Sequence, residues 1–122
     1  MIDLQAFEGY HRVDKMWGEE IWLHNSDLYC GKFLVIDPGM MCSNHRHLVK
    51  TETFVVLEGS PVIQLQGGLW ETKAPGDSVH VPVGTWHRFG AVEAPAVLLE
   101  LSSHHDDEDV QRRDPSGPLL PF

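Results

Sequence analysis

The chain has 122 residues, 42% of them hydrophobic, and a formal net charge of -9 at pH 7. A chain of this size fits one domain that buries about two-thirds of the surface exposed by its unfolded state. The acid excess argues against a nucleic-acid partner, which calls for a basic surface, and no apolar run approaches the roughly 18 residues that a membrane helix needs. The N-terminus lacks the basic and apolar regions of a secretory signal, so we expect a cytoplasmic protein.

The cysteines do not suggest a disulfide-stabilised fold. Cys30 and Cys42 are the two cysteines of the chain, and a disulfide scaffold of this size would contain more. In the reducing cytoplasm that we expect, buried thiols are the better interpretation, and a redox pair is the alternative.

The first third of the chain contains two segments with the pattern of β-strands. The first dozen residues show no clear period and are expected to form an N-terminal arm or a short edge strand. Residues 20–24 alternate loosely between polar and apolar, and residues 32–37 form a compact apolar run, so both segments predict strands. Trp17 and Trp22 are expected to cover one end of a barrel.

After residue 59 the turn residues recur at short, regular intervals. Gly67-Gly68 lies between residues 62–66 and 69–73 and predicts a hairpin, because paired glycines adopt the positive φ angles of the tight primed turns. Further short strands, separated by glycine and proline, are predicted at residues 78–81, 86–89 and 96–102. Short strands with this spacing, and no helical period before the tail, predict an all-β sandwich or barrel.

The C-terminal tail differs in character from the rest of the chain. Residues 103–122 are first acidic and then rich in proline. Residues 106–113 predict one or two helical turns, because acids at the start and arginines at the end suit the helix dipole. For residues 119–122, docking on the body or on a neighbouring subunit is one expectation, and a solvated tail is the other.

A candidate metal site lies between Gly39 and Gly59. His45 and His47 are two residues apart, so on a β-strand both side chains leave the same face. Glu52 begins the β-rich run that follows. Two imidazoles and a carboxylate make a suitable set of ligands for a divalent metal, and zinc, iron, manganese and nickel would all accept it. The alternative is a pair of surface histidines that bind nothing.

A second segment, residues 76–90, supplies His87 as a third histidine. The two segments resemble the paired motifs of the cupin family. The first motif is Gly, five residues, His-x-His, a gap of three or four residues, Glu, six residues and Gly. The second motif is Gly, five residues, Pro-x-Gly, two residues, His, three residues and Asn. Ala91 stands in place of that Asn, which is not a ligand in the family. The positions that match are Gly39, His45, His47, Glu52, Gly59, Gly76, Pro82, Gly84 and His87.

The resemblance implies a double-stranded β-barrel of the jelly-roll type, formed by about residues 30–102 within a single domain that spans residues 1–122. It also implies one divalent transition metal inside the barrel, with His45, His47, Glu52 and His87 as its ligands. Five histidines lack a motif and are expected to be structural or exposed, and one of them, His80, should point outward because it alternates with two valines. These five are His11, His24, His80, His104 and His105.

The flanking segments are similar to a narrower group, the cupins related to sugar-phosphate isomerases. This group includes the C-terminal cupin of type II mannose-6-phosphate isomerases and small lyxose isomerase-like cupins. Their entry sequence is V-x-K-P-W-G-x-E, and here Met16 replaces the proline while Val13, Lys15, Trp17, Gly18 and Glu20 match. Their closing segment resembles Glu100, Ser102 and the acidic run before Arg112, although Pro115-Ser116-Gly117 replaces its final Tyr-Gly-Arg.

This resemblance implies a sugar or sugar-phosphate isomerase that works through a metal-stabilised enediolate, with a sugar-like small molecule as substrate. The catalytic base would be a carboxylate other than the metal ligand, and Glu20 and Glu58 are the candidates. Arg46, Lys50 and Arg88 are close in sequence to the ligands and are candidates for contacts with the substrate. The alternative for these three is a solvated charge at the rim of the site.

Two other functions fit the same set of ligands. Three histidines and one glutamate also suit an Fe(II)-dependent dioxygenase. A non-catalytic cupin would use its metal only to hold a sugar or another metabolite. Whatever the function, we expect a homodimer, because the exposed edge strands of small barrels are commonly covered by a partner.

Overall fold

The computed structural model describes residues 2–119 of the chain. Within these residues there is one short 3-10 helix at Leu4–Phe7, and no helix is long and apolar enough to cross a membrane. The strands of the described residues are β1 (His11–Lys15), β2 (Gly18–Asn25), β3 (Cys30–Ile36), β4 (Met40–Met41), β5 (Asn44–Arg46), β6 (Glu52–Glu58), β7 (Val62–Leu65), β8 (Glu71–Thr72), β9 (Ser78–Val81), β10 (His87–Gly90), β11 (Ala96–Ser102), β12 (Gln111–Asp114) and β13 (Gly117–Pro118).

The strands form two antiparallel sheets. The first has the order β1-β2-β3-β11-β6-β9, and the second has the order β12-β5-β10-β4-β13, with β7 paired to β10 and β8 paired to β7. Apolar side chains from both sheets pack into one core, which includes Leu34 and Val56 from the first sheet and Ile63 and Phe89 from the second. This architecture confirms the predicted all-β, double-stranded β-barrel.

The predicted strands are present, with small shifts at their ends. The two strands predicted before residue 40 correspond to β2 and β3, the predicted hairpin corresponds to β7 and β8, and β1 is the expected edge strand. The tight turn of the hairpin lies one residue earlier than predicted. The amide of Gly68 donates to the carbonyl of Leu65 at 2.9 Å, and the positive φ angles belong to Gln66 and Gly67, at 53° and 68°.

The two glycines that bracket the candidate metal segment have positive φ angles, 76° at Gly39 and 78° at Gly59. Residues with a Cβ atom rarely adopt this conformation. At Gly59, which follows β6, a Cβ atom would also lie 2.4 Å from the carbonyl oxygen of Pro95. Glycine is therefore required there both for the turn and for the close approach of the loop before β11.

The helix predicted for residues 106–113 is wrong. These residues form a turn followed by β12, which pairs with β5, while β13 pairs with β4. A helix of one or two turns is marginal on its own, and the carboxylate of Asp109 accepts hydrogen bonds from the backbone of residues 48–50 instead. The amide of Leu119 donates to the carbonyl of Gly39 at 2.7 Å, so the tail is docked up to this point. The remainder of the predicted docking segment, residues 120–122, lies outside the described residues.

The N-terminal arm covers the outer face of the first sheet. It contributes Ile2, Leu4 and Phe7, and Phe7 packs edge-on against Phe33 with 4.9 Å between the ring centres. This second apolar layer includes Ile21 and Val97 of the first sheet.

Both cysteines are free and buried, as predicted. Burial raises the pKa of the Cys42 thiol to about 12, and the amide of Phe89 donates to its sulfur at 3.3 Å. Because the thiolate is the reactive form of cysteine, Cys42 is a structural thiol at neutral pH.

Replacement of Leu98 by alanine in β11 should destabilise the fold strongly. Leu98 is fully buried, and the loss of its apolar atoms together with the cavity left behind lowers the free energy of unfolding by roughly 2–5 kcal/mol. Leu101→Ala in the same strand is the matched control, because Leu101 is 49% exposed and surface changes stay within about 0.5 kcal/mol. Urea unfolding of both variants measures the difference, and equal midpoints would be evidence against a core position for Leu98.

Candidate metal centre

The three histidines of the two motifs meet at one place in the barrel. Strands β5 and β10 are neighbours, and His45 is paired directly with His87. His47 follows β5 immediately. One ring nitrogen from each histidine lies within 4.8 Å of the other two. Sheet pairing therefore joins candidate ligands that lie far apart along the chain.

The three imidazole rings are held in the same tautomer. The Nδ1 atom of each ring lies at hydrogen-bond distance from a backbone carbonyl oxygen, at 2.7 Å for His45 and Ser43, 2.5 Å for His47 and Asp109, and 2.9 Å for His87 and Thr85. A carbonyl oxygen only accepts, so each Nδ1 carries the hydrogen. In a neutral ring the lone pair is then on Nε2, which is the usual way in which proteins orient a metal-binding histidine.

Glu52 faces two of these Nε2 atoms from the opposite sheet. Its Oε1 lies 2.9 Å from Nε2 of His47, and its Oε2 lies 3.3 Å from Nε2 of His87. Among the described residues, Oε2 of Glu52 and Nε2 of His87 are buried without a hydrogen-bond partner. Carboxylate oxygens and imidazole lone pairs that face one another need a positive charge between them. Three nitrogens and one carboxylate in this arrangement fit a divalent transition metal.

The ionisation of His45 and Glu52 suits metal binding. Burial lowers the pKa of His45 to about 3, so this ring is neutral at physiological pH. Burial by itself raises the pKa of Glu52, but the imidazoles of His47 and His87 and the ammonium of Lys50 outweigh it and hold that pKa well below its usual range. Neutral imidazoles and an ionised carboxylate are the forms that bind a metal.

Lys50 lies inside the barrel and not at its rim. It is 3% exposed, and its Nζ lies 3.0 Å from Oε1 of Glu52 and 3.1 Å from Oε2 of Glu100. Burial lowers the pKa of Lys50, but the carboxylates of Glu100 and Glu52 outweigh this and raise it. Lys50 is thus a buried ammonium that joins a candidate metal ligand to a second carboxylate.

A second buried ion pair lies on the same sheet. Lys32 is fully buried, and its Nζ lies 3.4 Å from Oε1 of Glu20. The Trp22 indole donates to the same oxygen at 2.9 Å, and Nζ of Lys32 lies 4.2 Å from the centre of its ring. Glu20, one of the two carboxylates predicted as a base, is thus held by a buried lysine and an indole. Trp17 packs in the core, edge-on to Phe89.

A cavity of about 120 Å³ opens beside the candidate metal centre. Its wall combines candidate ligands with both ion pairs, through His45, His47, Lys50, Glu52, Glu100 and Glu20. Charged side chains also line it, among them Lys15 and Arg112, which are exposed. A wall with so many hydrogen-bonding groups suits a hydroxylated small molecule better than an apolar one.

Three other candidates from the sequence do not line this cavity. Glu58 accepts a hydrogen bond from the backbone of the N-terminal arm. Arg46 and Arg88 each come directly after a candidate ligand on the same strand, so their side chains point to the opposite face. The guanidinium of Arg46 stacks over the ring of Trp86, and that of Arg88 stacks over the ring of Trp70. The structure therefore brings Lys50 and Glu20 to the site and leaves Glu58, Arg46 and Arg88 away from it. His80 is exposed, as predicted.

The sequence interpretation missed residues that stand beside the candidate ligands. Glu100 was detectable, because alternation along β11 places it on the same face as the core residue Leu98. Lys32 was detectable in the same way, since it shares a face with Leu34 in β3. His105 and Asp109 had no such signal, because a charged run at the end of a chain is usually solvated.

Asp109→Ala should weaken metal binding while leaving the barrel folded. The Asp109 carboxylate accepts from the amides of residues 48–50 at 2.8, 3.1 and 2.9 Å, and its own carbonyl accepts from His47 at 2.5 Å. Asp109→Ala keeps that carbonyl but removes the carboxylate that anchors it to residues 48–50, so the contact with His47 loosens, and loss of such an outer contact typically lowers metal affinity by roughly 10- to 100-fold. Competition with a metal-sensitive dye measures the affinity, and Glu108→Ala, at an exposed neighbour, serves as the control. Equal affinities in the two variants would show that Asp109 does not orient His47.

The chain matches a known domain family and is similar to two named sugar isomerases. The cupin domain family model matches residues 32–102. The D-lyxose/D-mannose isomerase of Thermosediminibacter oceani is 31% identical over 80% of this chain and 68% of that protein. The D-lyxose ketol-isomerase of Thermofilum sp. is 30% identical over 86% of this chain and 73% of that protein.

A solved structure shows the same fold at lower sequence identity. KdgF from Halomonas sp. superposes with a TM-score of 0.73 at 20% identity, over 83% of this chain and 92% of that one. The paired motifs, the two-sheet barrel and a family match over more than half of the chain all indicate the same family. The chain belongs to the cupin domain family.

Proposed function

We propose that the protein is a metal-dependent aldose–ketose isomerase that acts on a sugar or a sugar derivative. The observation that carries this proposal is the buried ammonium of Lys50, which lies within 3.1 Å of both Glu52 and Glu100. It places a second carboxylate, Glu100, beside a candidate metal ligand in the same cavity. The two isomerases to which the chain is similar support the same reaction class.

The reaction needs two proton movements and no other reagent. One proton moves from C2 to C1 of the open-chain sugar, and another moves from the C2 hydroxyl to the carbonyl oxygen, so substrate and product contain the same atoms. A base takes the C2 proton to give an enediolate and returns a proton at C1. A divalent metal held by His45, His47, Glu52 and His87 would supply a Lewis acid that stabilises negative charge on the substrate oxygens.

We assign the role of base to Glu100. Its Oε2 accepts hydrogen bonds from Lys50 at 3.1 Å and from the hydroxyl of Ser102 at 3.0 Å. These contacts fix a carboxylate in the cavity wall. A base that is already held in position loses little conformational entropy when the substrate binds. Glu20 also lines the cavity, but it pairs with Lys32, whereas Glu100 shares Lys50 with the candidate metal ligand Glu52.

Lys50 would stabilise the charge that develops on the substrate. Its ammonium is buried between Glu52 and Glu100, where the surroundings screen a charge poorly. A fixed positive charge in the cavity wall stabilises an oxygen that becomes negative by electrostatic attraction, without a hydrogen bond to it. Lys50 therefore stabilises the substrate oxygens through its charge, while Glu100 takes and returns the carbon-bound proton.

The test is a panel of aldoses incubated with protein that has been stripped by a chelator and reloaded with zinc, iron, manganese or nickel. D-Lyxose, D-mannose and their phosphates belong in the panel. We expect formation of a ketose that depends on the added metal. Oxygen uptake by the iron-loaded protein without any ketose would favour a dioxygenase, and tight binding of a sugar that is recovered unchanged would favour a non-catalytic cupin.

We also propose that the protein is a cytoplasmic homodimer. Strands β1 and β9 end the first sheet, and a partner that covers such an edge prevents uncontrolled pairing with other chains. Sedimentation at micromolar concentration should give the mass of two chains, and the mass of one chain at all concentrations would count against the dimer.

A further inference from the structure

His105 lines the cavity, although the sequence predicted only a structural or exposed histidine at this position. Its amide donates to the side-chain oxygen of Asn25 at 2.9 Å, and its carbonyl accepts from the side-chain amide of Asn25 at 3.1 Å. Its ring packs edge-on against Trp22 with 5.2 Å between the ring centres. Contacts with β2, distant in sequence, therefore fix both the backbone and the ring of His105.

The two ring nitrogens of His105 have different partners. Nδ1 lies 2.8 Å from Nζ of Lys50, and Nε2 lies 2.8 Å from Oδ1 of Asp107. An ammonium only donates, so Nδ1 must hold a lone pair, and the hydrogen of the neutral ring is then on Nε2, where it is donated to Asp107. Burial and the charges of Lys50 and Lys32 lower the pKa of His105, which agrees with a neutral ring.

The three hydrogens of the Lys50 ammonium have three acceptors around them. These acceptors are Oε1 of Glu52 at 3.0 Å, Oε2 of Glu100 at 3.1 Å and Nδ1 of His105 at 2.8 Å. With all three directions occupied, the ammonium has one favourable orientation. Without His105 it is tied at only two points and can turn or move, and Glu100 can move with it.

We propose that His105, oriented by Asp107, is a positioning residue that holds the ammonium of Lys50 and, through it, the carboxylate of Glu100. This inference rests on the proposed isomerase function. It adds a chain of contacts, Asp107 to His105 to Lys50 to Glu100, that begins at an exposed carboxylate and ends at the proposed base. A misplaced catalytic group slows the chemical step by up to roughly 100-fold for a shift of about 1 Å.

Two substitutions at this position distinguish positioning from a merely structural role. His105→Leu removes the acceptor for Lys50, and we expect kcat to fall about 10- to 100-fold with KM changed by less than about 3-fold. His105→Asn places an amide oxygen close to the position of Nδ1, so it should recover most of the lost kcat. His104→Leu is the matched control, because His104 is an exposed neighbour that bonds the carbonyl of Ser26, and it should keep the wild-type kcat.

The outcomes separate this inference from the function on which it rests. A wild-type kcat in His105→Leu, or equal losses in the Leu and Asn variants, would overturn the inference while the isomerase function stands. Nitrogen-15 NMR of the free protein at neutral pH gives a readout that does not need activity, and we expect His105 to be neutral with its hydrogen on Nε2. A ring with its hydrogen on Nδ1, or a charged ring, would overturn the inference even if no aldose is converted. If the expected tautomer is found but no aldose of the panel is converted, only the proposed function is overturned.

Discussion

His47→Ala is expected to abolish metal binding at micromolar metal. One ring nitrogen of His47 lies within 4.8 Å of a ring nitrogen of His45 and of His87, and its Nε2 lies 2.9 Å from Oε1 of Glu52. Loss of an outer contact lowers metal affinity by at most roughly 100-fold. Removal of a ligand itself should lower metal affinity by more than this. Metal content by mass spectrometry, after loading with zinc or manganese and dialysis, measures the effect.

The matched control is His80→Ala. His80 is exposed on β9 and bonds the hydroxyl of Thr53 at 3.0 Å, so its loss should leave metal content unchanged. His87→Ala is a second variant with the same expected loss, although His87 is 1% exposed and its variant must first be shown to unfold cooperatively. If His47→Ala and His80→Ala retain equal amounts of metal, the proposed ligand set is wrong.

Glu100→Gln is expected to lower kcat by roughly 100- to 10,000-fold, the range that general-base catalysis supplies. The substitution keeps the volume of the side chain and an oxygen for Lys50, but the amide cannot take a proton from C2. Metal binding should be unchanged, because Glu100 is separated from the candidate ligands by Lys50. Steady-state ketose formation gives kcat and KM.

The control for this substitution is Glu93→Gln at an exposed position, which should behave as the wild type. A change of less than a few-fold in Glu100→Gln would remove Glu100 as the base. In that case Glu20→Gln should produce the large loss, because Glu20 lines the same cavity, is not a candidate metal ligand, and is the second candidate base.

Much of the fold could be predicted because it depends on local signals. Alternation and turn residues identified β2, β3 and the β7–β8 hairpin, and Gly39 and Gly59 marked turns that require a positive φ angle. The His-x-His spacing placed His45 and His47 on one face, since that placement needs only the geometry of a strand. These signals lie within a few residues of the feature that they predict.

The surroundings of the site could not be predicted because they depend on contacts between distant segments. Lys50 and Glu100 are 50 residues apart, and the pairing of β11 with β6, which begins two residues after Lys50, brings them together. Until that contact is known, a lysine near a ligand is better explained as a solvated charge. Asp109 illustrates the same point, because its bonds to residues 48–50 replace the helix that its own segment suggests.

Deuterium incorporation from D2O tests the central claim most directly, namely that a base in the metal-containing cavity moves a proton between C2 and C1 of a sugar. Metal-loaded protein is incubated with D-lyxose or D-mannose and followed by proton NMR. We predict that the ketose forms with deuterium at C1, and that formation and exchange both stop after chelation and resume when metal is restored. A ketose that carries no deuterium, or formation that is unaffected by removal of the metal, would contradict this account.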